Sequence, residues 1–297
     1  MTVKKLICSE QTKKRRGNSQ IWEVWRRFKK NKIAMAGLII FLILCMVAIF
    51  ADAITPYSAA ITQIKGASLQ KPSMEHLFGT DNLGRDMFAR VIHGSRYSIS
   101  LAIIISLVSL LISSILGGIS GYYGGTLDNI IMRLLDVLMC IPSLMLALCI
   151  VAALGANLVN LLIAMTIGQI PGTVRLVRSA IMSVSGADYI EAARCHGASD
   201  LRIIVKYIIP NALGPIIVDT TVNASRLIIT CASMSFLGLG IQPPAPEWGN
   251  LLAGAREYMR IAPWLLYIPG IALVITALSI NLIGDGLRDA LDPKIRD

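Results

Sequence analysis

VLMCIPSLMLALCIVAALGANLVNLLIAMTIGQIPGTV, residues 137–174, runs for 38 positions without a charge. As one α-helix it would be about 57 Å long at ~1.5 Å per residue. A bilayer's hydrocarbon core is only about 30 Å thick. The stretch must therefore fold back, and Gly155-Ala156-Asn157 is its natural turn. That divides it into two crossings, 137–154 and 158–174. Working outward, the uncharged run 33–51 supplies a first span and 98–122 a second. Residues 212–237 and 263–284 supply the fifth and sixth. Pro142 and Pro171 are expected to kink spans three and four. The expected fold class is all-α integral membrane, with six transmembrane helices.

Composition agrees. The chain has 297 residues, 55% hydrophobic and 15% charged, and its mean hydropathy is +0.65. Soluble domains carry nearer a quarter charged residues. The net charge of +10 does not point to nucleic acid, because 11 of the 28 Lys and Arg crowd into residues 1–32. A nucleic-acid face would interleave basic residues with aromatics. The first apolar run begins at Ile33, behind this basic tail, and is too long for a signal-peptide core of about 7–15 residues. It reads as a retained span. The chain thus divides into a basic cytosolic tail, 1–32, and a single transmembrane domain, 33–297. Loop 175–206 carries Arg175, Arg178, Arg194, Arg202 and Lys206, whereas loop 52–96 mixes five basic with four acidic residues. By the positive-inside rule, loop 175–206 and both termini face the cytosol and loop 52–96 faces outward.

The loop between spans four and five, 175–211, is the most structured of the connections. Ser185 and Asp188 look like the start of a capping box. Glu191-Ala192-Ala193 continues as helix, and Gly197 is a natural residue just past a helix end. Ser199 is placed to cap a second helix with Leu201, Ile204, Val205 and Ile208 on its apolar face, and Pro210 is expected to interrupt it. A short helix, a tight turn and an amphipathic helix between two spans fit a partner-docking element. They also fit a surface helix without a partner.

Glu191-Ala192-Ala193, three further residues, Gly197, and an apolar pair before Pro210 resemble the EAA motif of binding-protein-dependent ABC importer permeases. Tyr207 stands where that family usually has Ile, and Ile209 where it usually has Leu. Both replacements keep an apolar body. His76-Leu77-Phe78-Gly79-Thr80-Asp81-Asn82-Leu83-Gly84-Arg85-Asp86 is similar to the segment before the second span in dipeptide and oligopeptide permeases. Phe236 through Gly249 is similar to their outer loop between spans five and six, and Leu287 through Pro293 to their carboxy end. The long basic tail resembles the C-type permease of the pair. The resemblance implies a type I ABC importer transmembrane domain. Its cytosolic coupling helix would dock an ATPase through Asp188, Tyr189, Glu191, Ala192, Ala193, Arg194, Gly197 and Ala198, with Pro210 behind them. It implies a second permease subunit in a heterodimer, two ATPase subunits carrying ATP and Mg, and an extracytoplasmic substrate-binding protein. The implied cargo is dipeptides or oligopeptides, with nickel, a metallophore or glutathione as alternatives within the same family.

What the sequence lacks narrows the chemistry. No Gly-Lys-Ser or Gly-Lys-Thr occurs, so no P-loop can cradle phosphates. Gly238-Leu239-Gly240 is not a dinucleotide fingerprint, because Pro243 takes the third glycine position. Asp81 through Asp86 fails calcium-loop spacing and reads as Asx and glycine turns. Cys8, Cys45, Cys140, Cys149, Cys195 and Cys231 show no paired spacing, and His76, His93 and His196 are scattered. The 12 Met read as packing filler. No catalytic residue, cofactor or metal ligand is assigned. A self-contained secondary transporter is the distant alternative, but no inverted repeat is visible.

Two intramembrane patterns remain. Asp219, Asn223, Arg226 and Thr230 fall on one face of span five. Charge in lipid is costly, so the stripe is expected to line a translocation path, or else to lock two helices through an Asp–Arg pair. Gly117, Gly121 and Gly125 recur at four-residue spacing, the pattern of close helix packing.

Overall fold

The structure, a computed structural model, describes residues 20–291, so Cys8, most of the basic tail, and Asp292 and Pro293 of the carboxy-end resemblance lie outside the described residues. The described chain is helical, with one isolated β-bridge between Thr80 and Asp86. A short α1 (Gln20–Phe28) precedes the first span α2 (Lys32–Ile49), and α3 (Ala51–Ile54) and α4 (Tyr57–Ile61) follow it. Then come α5 (Met87–Tyr123), α6 (Gly125–Met139), α7 (Ser143–Leu154), α8 (Leu158–Ser185), α9 (Asp188–Cys195) and α10 (Asp200–Ile203). A π-helical turn, Ile204–Ile208, leads into α11 (Ile209–Phe236), and α12 (Trp248–Ala255) and α13 (Trp264–Leu291) complete the order. Five helical stretches are long and apolar enough to cross a membrane, or six if the bent pair α6–α7 forms one span.

Several boundaries differ from the sequence expectation, each for a physical reason. The second span begins at Met87 rather than 98. Asp86 caps it, its Oδ1 accepting from the Ala89 N–H at 2.8 Å. His93 and Arg96 do not end the helix, because the C-terminal end of α2 and the segment after it supply their partners. His93 Nε2 lies 2.9 Å from the Thr55 carbonyl. Arg96 donates to the Ala48 and Ile49 carbonyls at 2.9 and 3.0 Å and to Asp52 at 2.9 Å. Those two carbonyls lie at the C-terminal end of α2, where helices leave acceptors unfilled and favour a cation.

The third span, expected at 137–154, is broken. Its chain bends by 79° between α6 and α7. Pro142 begins the second piece as its N-cap. Alone, the 12 residues of α7 would reach only about 18 Å. The fourth span passes through Pro171 and continues as one helix to Ser185, beyond the expected 174. The sixth likewise extends from 284 to Leu291.

The bundle is organised around α5 and α11. Helix α5 lies along α8, and α11 packs on α13, which in turn packs on α2. One apolar core joins these spans and includes Leu101, Ile105, Leu161, Leu227, Ile228 and Trp248. A second, smaller cluster lies at the end of the bundle that carries α9, among them Val177, Ile181, Ile190, Ile203, Ile208 and Ala212.

Candidate docking loop and intramembrane polar site

Helix α9 has eight residues, too few to persist alone in water. Its stability comes from its ends and its single buried side chain. Ile190 is fully buried against the smaller cluster, a burial worth roughly 1.5–3 kcal/mol. At the C-terminus the Gly197 N–H donates to the Arg194 carbonyl at 2.9 Å and the Ala198 N–H to the Ala193 carbonyl at 3.1 Å. That pair of bonds is a Schellman motif. It requires the left-handed residue that Gly197, at φ +76°, supplies.

The expected Ser185–Asp188 capping box does not form. Ser185 is the last residue of α8 and its hydroxyl donates back to the Met182 carbonyl. Ala187 is the N-cap of α9 and Asp188 its first residue. Ser199 does occupy the N-cap of α10, but without a side-chain bond to the helix. Nor does Pro210 interrupt the chain. The π turn carries the helix past it, with the Ile209 N–H reaching the Ile204 carbonyl, and Pro210 sits in the first turn of α11, where no N–H is needed. The wider turn also changes the buried face. Ile203 and Ile208, five residues apart, point inward, whereas Leu201 and Val205 are 74% and 56% exposed.

Of the residues named for docking, Asp188, Tyr189, Glu191, Ala192, Arg194 and Gly197 are exposed together on and beside α9. Ala193 and Ala198 are half-buried against the smaller cluster. Pro210 is exposed but belongs to the base of α11. Residues that sequence reading passed over hold this end together. The Arg194 guanidinium lies over the Tyr122 ring at 5.5 Å, and the Tyr122 hydroxyl donates to Asp200 Oδ1 at 2.6 Å. Arg178 donates through Nε and Nη2 to both oxygens of Asp128, each at 2.6 Å, and Arg175 pairs with Asp136. These pairs fasten α6 to the lower half of α8. The only sequence signal for them was opposite charges in adjacent loops, which carries no register across the turns between.

The polar stripe of α11 divides. Asp219 and Arg226 line a hollow of about 490 Å³ with Leu176, Val222 and Arg288. Asn223 faces a narrow polar seam with Ser106, Gln169 and Thr173. The two charges are linked through Asn223, which donates to Asp219 Oδ2 at 2.7 Å and accepts from Arg226 Nη1 at 3.5 Å. Thr230 bonds back to the Arg226 carbonyl. Among the glycines, a Cβ on Gly117 would fall 2.8 Å from the Val174 carbonyl oxygen, and one on Gly121 would fall 2.9 Å from that of Arg178. Both sit where α5 meets α8. Gly125 does not share this role: it lies past the end of α5, at φ +59°, with nothing within 4 Å of a Cβ. Among the described residues no group of His, Cys, Asp and Glu is placed to hold a metal.

The opposite end contains the most buried acid that sequence reading left unassigned. Glu247, 1% exposed, caps α12, its Oε2 accepting from the Asn250 N–H at 2.9 Å and its Oε1 from Ser98 at 3.2 Å. Burial pushes its carboxyl above the usual carboxylate range, although the backbone and hydroxyl bonds oppose the shift. Beside it, Trp248 Nε1 donates to the Val91 carbonyl at 3.0 Å.

With this geometry in view, comparison with known proteins is decisive. The family described as "Binding-protein-dependent transport system inner membrane component" matches residues 113–297. The chain belongs to that family. The "N-terminal TM domain of oligopeptide transport permease C" matches residues 19–72. Relatives of this inner membrane component include the dipeptide transport system permease protein DppC of Alkalihalophilus pseudofirmus, 44% identical over 92% of this chain and 90% of that protein. The glutathione transport system permease protein GsiD of Pectobacterium atrosepticum is 42% identical over 92% and 91%. The MetNI methionine ABC transporter, solved in inward-facing conformations, shares the fold at a TM-score of 0.57 and 20% identity, over 69% of this chain and 98% of that one. The inner membrane component is thus a type I ABC importer permease fold, and the secondary-transporter alternative is set aside.

Proposed function

We propose that this chain is one of two permease subunits of an importer that takes up dipeptides or oligopeptides handed over by an extracytoplasmic binding protein. ATP, with Mg, is hydrolysed on separate ATPase chains. The tail and carboxy terminus lie in the cytosol of an inner or plasma membrane, as the basic residues of 1–32 and 175–206 support.

The observation that carries this reading is the construction of α9. Five of the exposed docking residues are presented on a short helix, closed by the Schellman turn at Gly197 and anchored through Ile190 to the cluster that joins α8 and α11. A push on so short and so firmly attached a helix is passed to two spans instead of dissipating. ATPase closure would then switch the permease pair between inward-open and outward-open states. Glutathione, itself a peptide, is a second reading favoured by the equal closeness of the glutathione permease relatives.

Affinity capture of the tagged chain from its native membranes in mild detergent tests this. An ATPase and a second permease should co-purify. Gly197→Val should lose the ATPase while the permease pair remains. Strain at φ +76° costs only about 1–2 kcal/mol, and nothing lies within 4 Å of a Cβ there. A chain that runs alone even after cross-linking overturns the proposal. For the path, Asp219→Asn should leave the assembled complex intact and reduce uptake at least ~tenfold. Loss of assembly instead would make the Asp219–Asn223–Arg226 chain a helix lock.

A further inference from the structure

At the end of the bundle opposite α9, a cavity of about 240 Å³ opens between the 81–90 segment and α12. Arg85 and Arg90 both line it, at 8% and 3% exposure. One carboxylate serves both. Asp81 Oδ2 accepts from Arg85 Nε at 2.6 Å and lies 3.2 Å from Arg90 Nη1. The neighbouring acids are engaged elsewhere: Asp86 with His76 and the cap of α5, Asp52 with Arg96, and Glu247 with Ser98 and α12. Two buried guanidiniums against one carboxylate leave one uncompensated positive charge, a costly arrangement in a protein interior. The 3.2 Å approach of Arg90 Nη1 to Asp81 is an ion pair without hydrogen-bond geometry, so Arg90 Nε and Nη1 donate to no acceptor among the described residues, although buried donors are normally satisfied.

The rest of the wall limits what would complete this charge balance. Met87, Leu251 and Leu265 make one side apolar, while Asn82 and Asn250 add amides. A monoanion matches the single excess charge. A planar anion matches the guanidinium fork. An aliphatic stem matches the apolar side, which a bare phosphate does not. We propose that this cavity is a binding site for a carboxylate carried on a short apolar stem, held by Arg85 and Arg90. The site goes beyond the importer reading and stands whichever solute is carried. Its ligand chemistry has two sources: the C-terminus of a small peptide, or an acidic side chain of a protein docked on this face.

The test uses the full-length chain in lipid nanodiscs and follows the thermal unfolding midpoint against N-acetylglycinate. Saturable stabilisation is expected, with no comparable effect from N-acetylglycinamide or inorganic phosphate. Arg90→Gln should weaken the response at least ~tenfold, as loss of a charge-assisted pair implies. Because that variant risks misfolding, Gly254→Leu is the companion. It lies in α12 at the cavity wall, and a Cβ there meets nothing within 4 Å, so the fold should persist while the cavity fills and the response disappears. Competition by the dipeptide Ala-Ala, and not by its C-terminal amide, assigns the carboxylate to a peptide end. Saturation without competition assigns it to a docked acidic side chain. No saturable shift, an equal shift with the amide, or a shift that survives both variants overturns the site.

Discussion

The two ends of this bundle are held together by different physics. The α9 end relies on a few apolar anchors and on side-chain pairs near the surface, and it leaves a polar helix exposed. The Glu247–Trp248 end buries its polar groups: Glu247, Arg90, His93 and Asp81 all lie below 9% exposure. A buried polar network specifies one arrangement and tolerates little loss. Cutting the one anchor of a capped surface helix costs the whole fold less, but it frees that helix from the spans. That contrast accords with the function proposed above, in which one end stays rigid and the other transmits movement.

The largest expected effect lies at the buried end. Trp248→Ala removes a 1% exposed side chain together with its bond to Val91, and should cost about 3–5 kcal/mol. Thermal unfolding of the purified protein measures it, and capture of the ATPase by the folded remainder should be unchanged. Ile190→Ala comes next, toward the lower end of the ~2–5 kcal/mol range, because a site near the surface can collapse around the gap. Here stability should fall less than for Trp248→Ala while ATP-driven uptake falls more. The reverse order in both measurements would break the distinction between the ends.

The smallest effect is a pH slope. A carboxyl whose folded pKa is raised adds most stability below its ordinary value of 4.5, and that contribution is lost as pH rises through the raised value. Unfolding midpoints should therefore decline over that window in the wild-type protein and decline less in Glu247→Gln. Identical slopes in the two proteins would mean that Glu247 is not buried as a carboxyl.

Much of this was legible in the chain. Val137–Val174 had to fold back at Gly155-Ala156-Asn157, and it does: Asn157 caps α8, accepting from the Asn160 N–H at 2.9 Å, while Asn160 bonds the Leu154 and Gly155 carbonyls. Gly197 was readable because a left-handed helix end has few other solutions. Two misreadings have physical causes. Arg96 looked like the edge of a span only because its partners, Ala48, Ile49 and Asp52, lie far away along the chain. Pro210 looked like a break because periodicity does not anticipate a π turn.

Hydrophobic run lengths, glycine turns and basic asymmetry are local quantities. The sequence by itself therefore determined that this is a helical membrane protein with a structured loop between its fourth and fifth spans. Tertiary structure alone decided that the third span breaks, that Ile203 and not Leu201 is buried, and that Arg85 and Arg90 share one carboxylate. Each of those depends on how side chains and neighbouring elements pack in three dimensions, and such contacts leave no period in the chain.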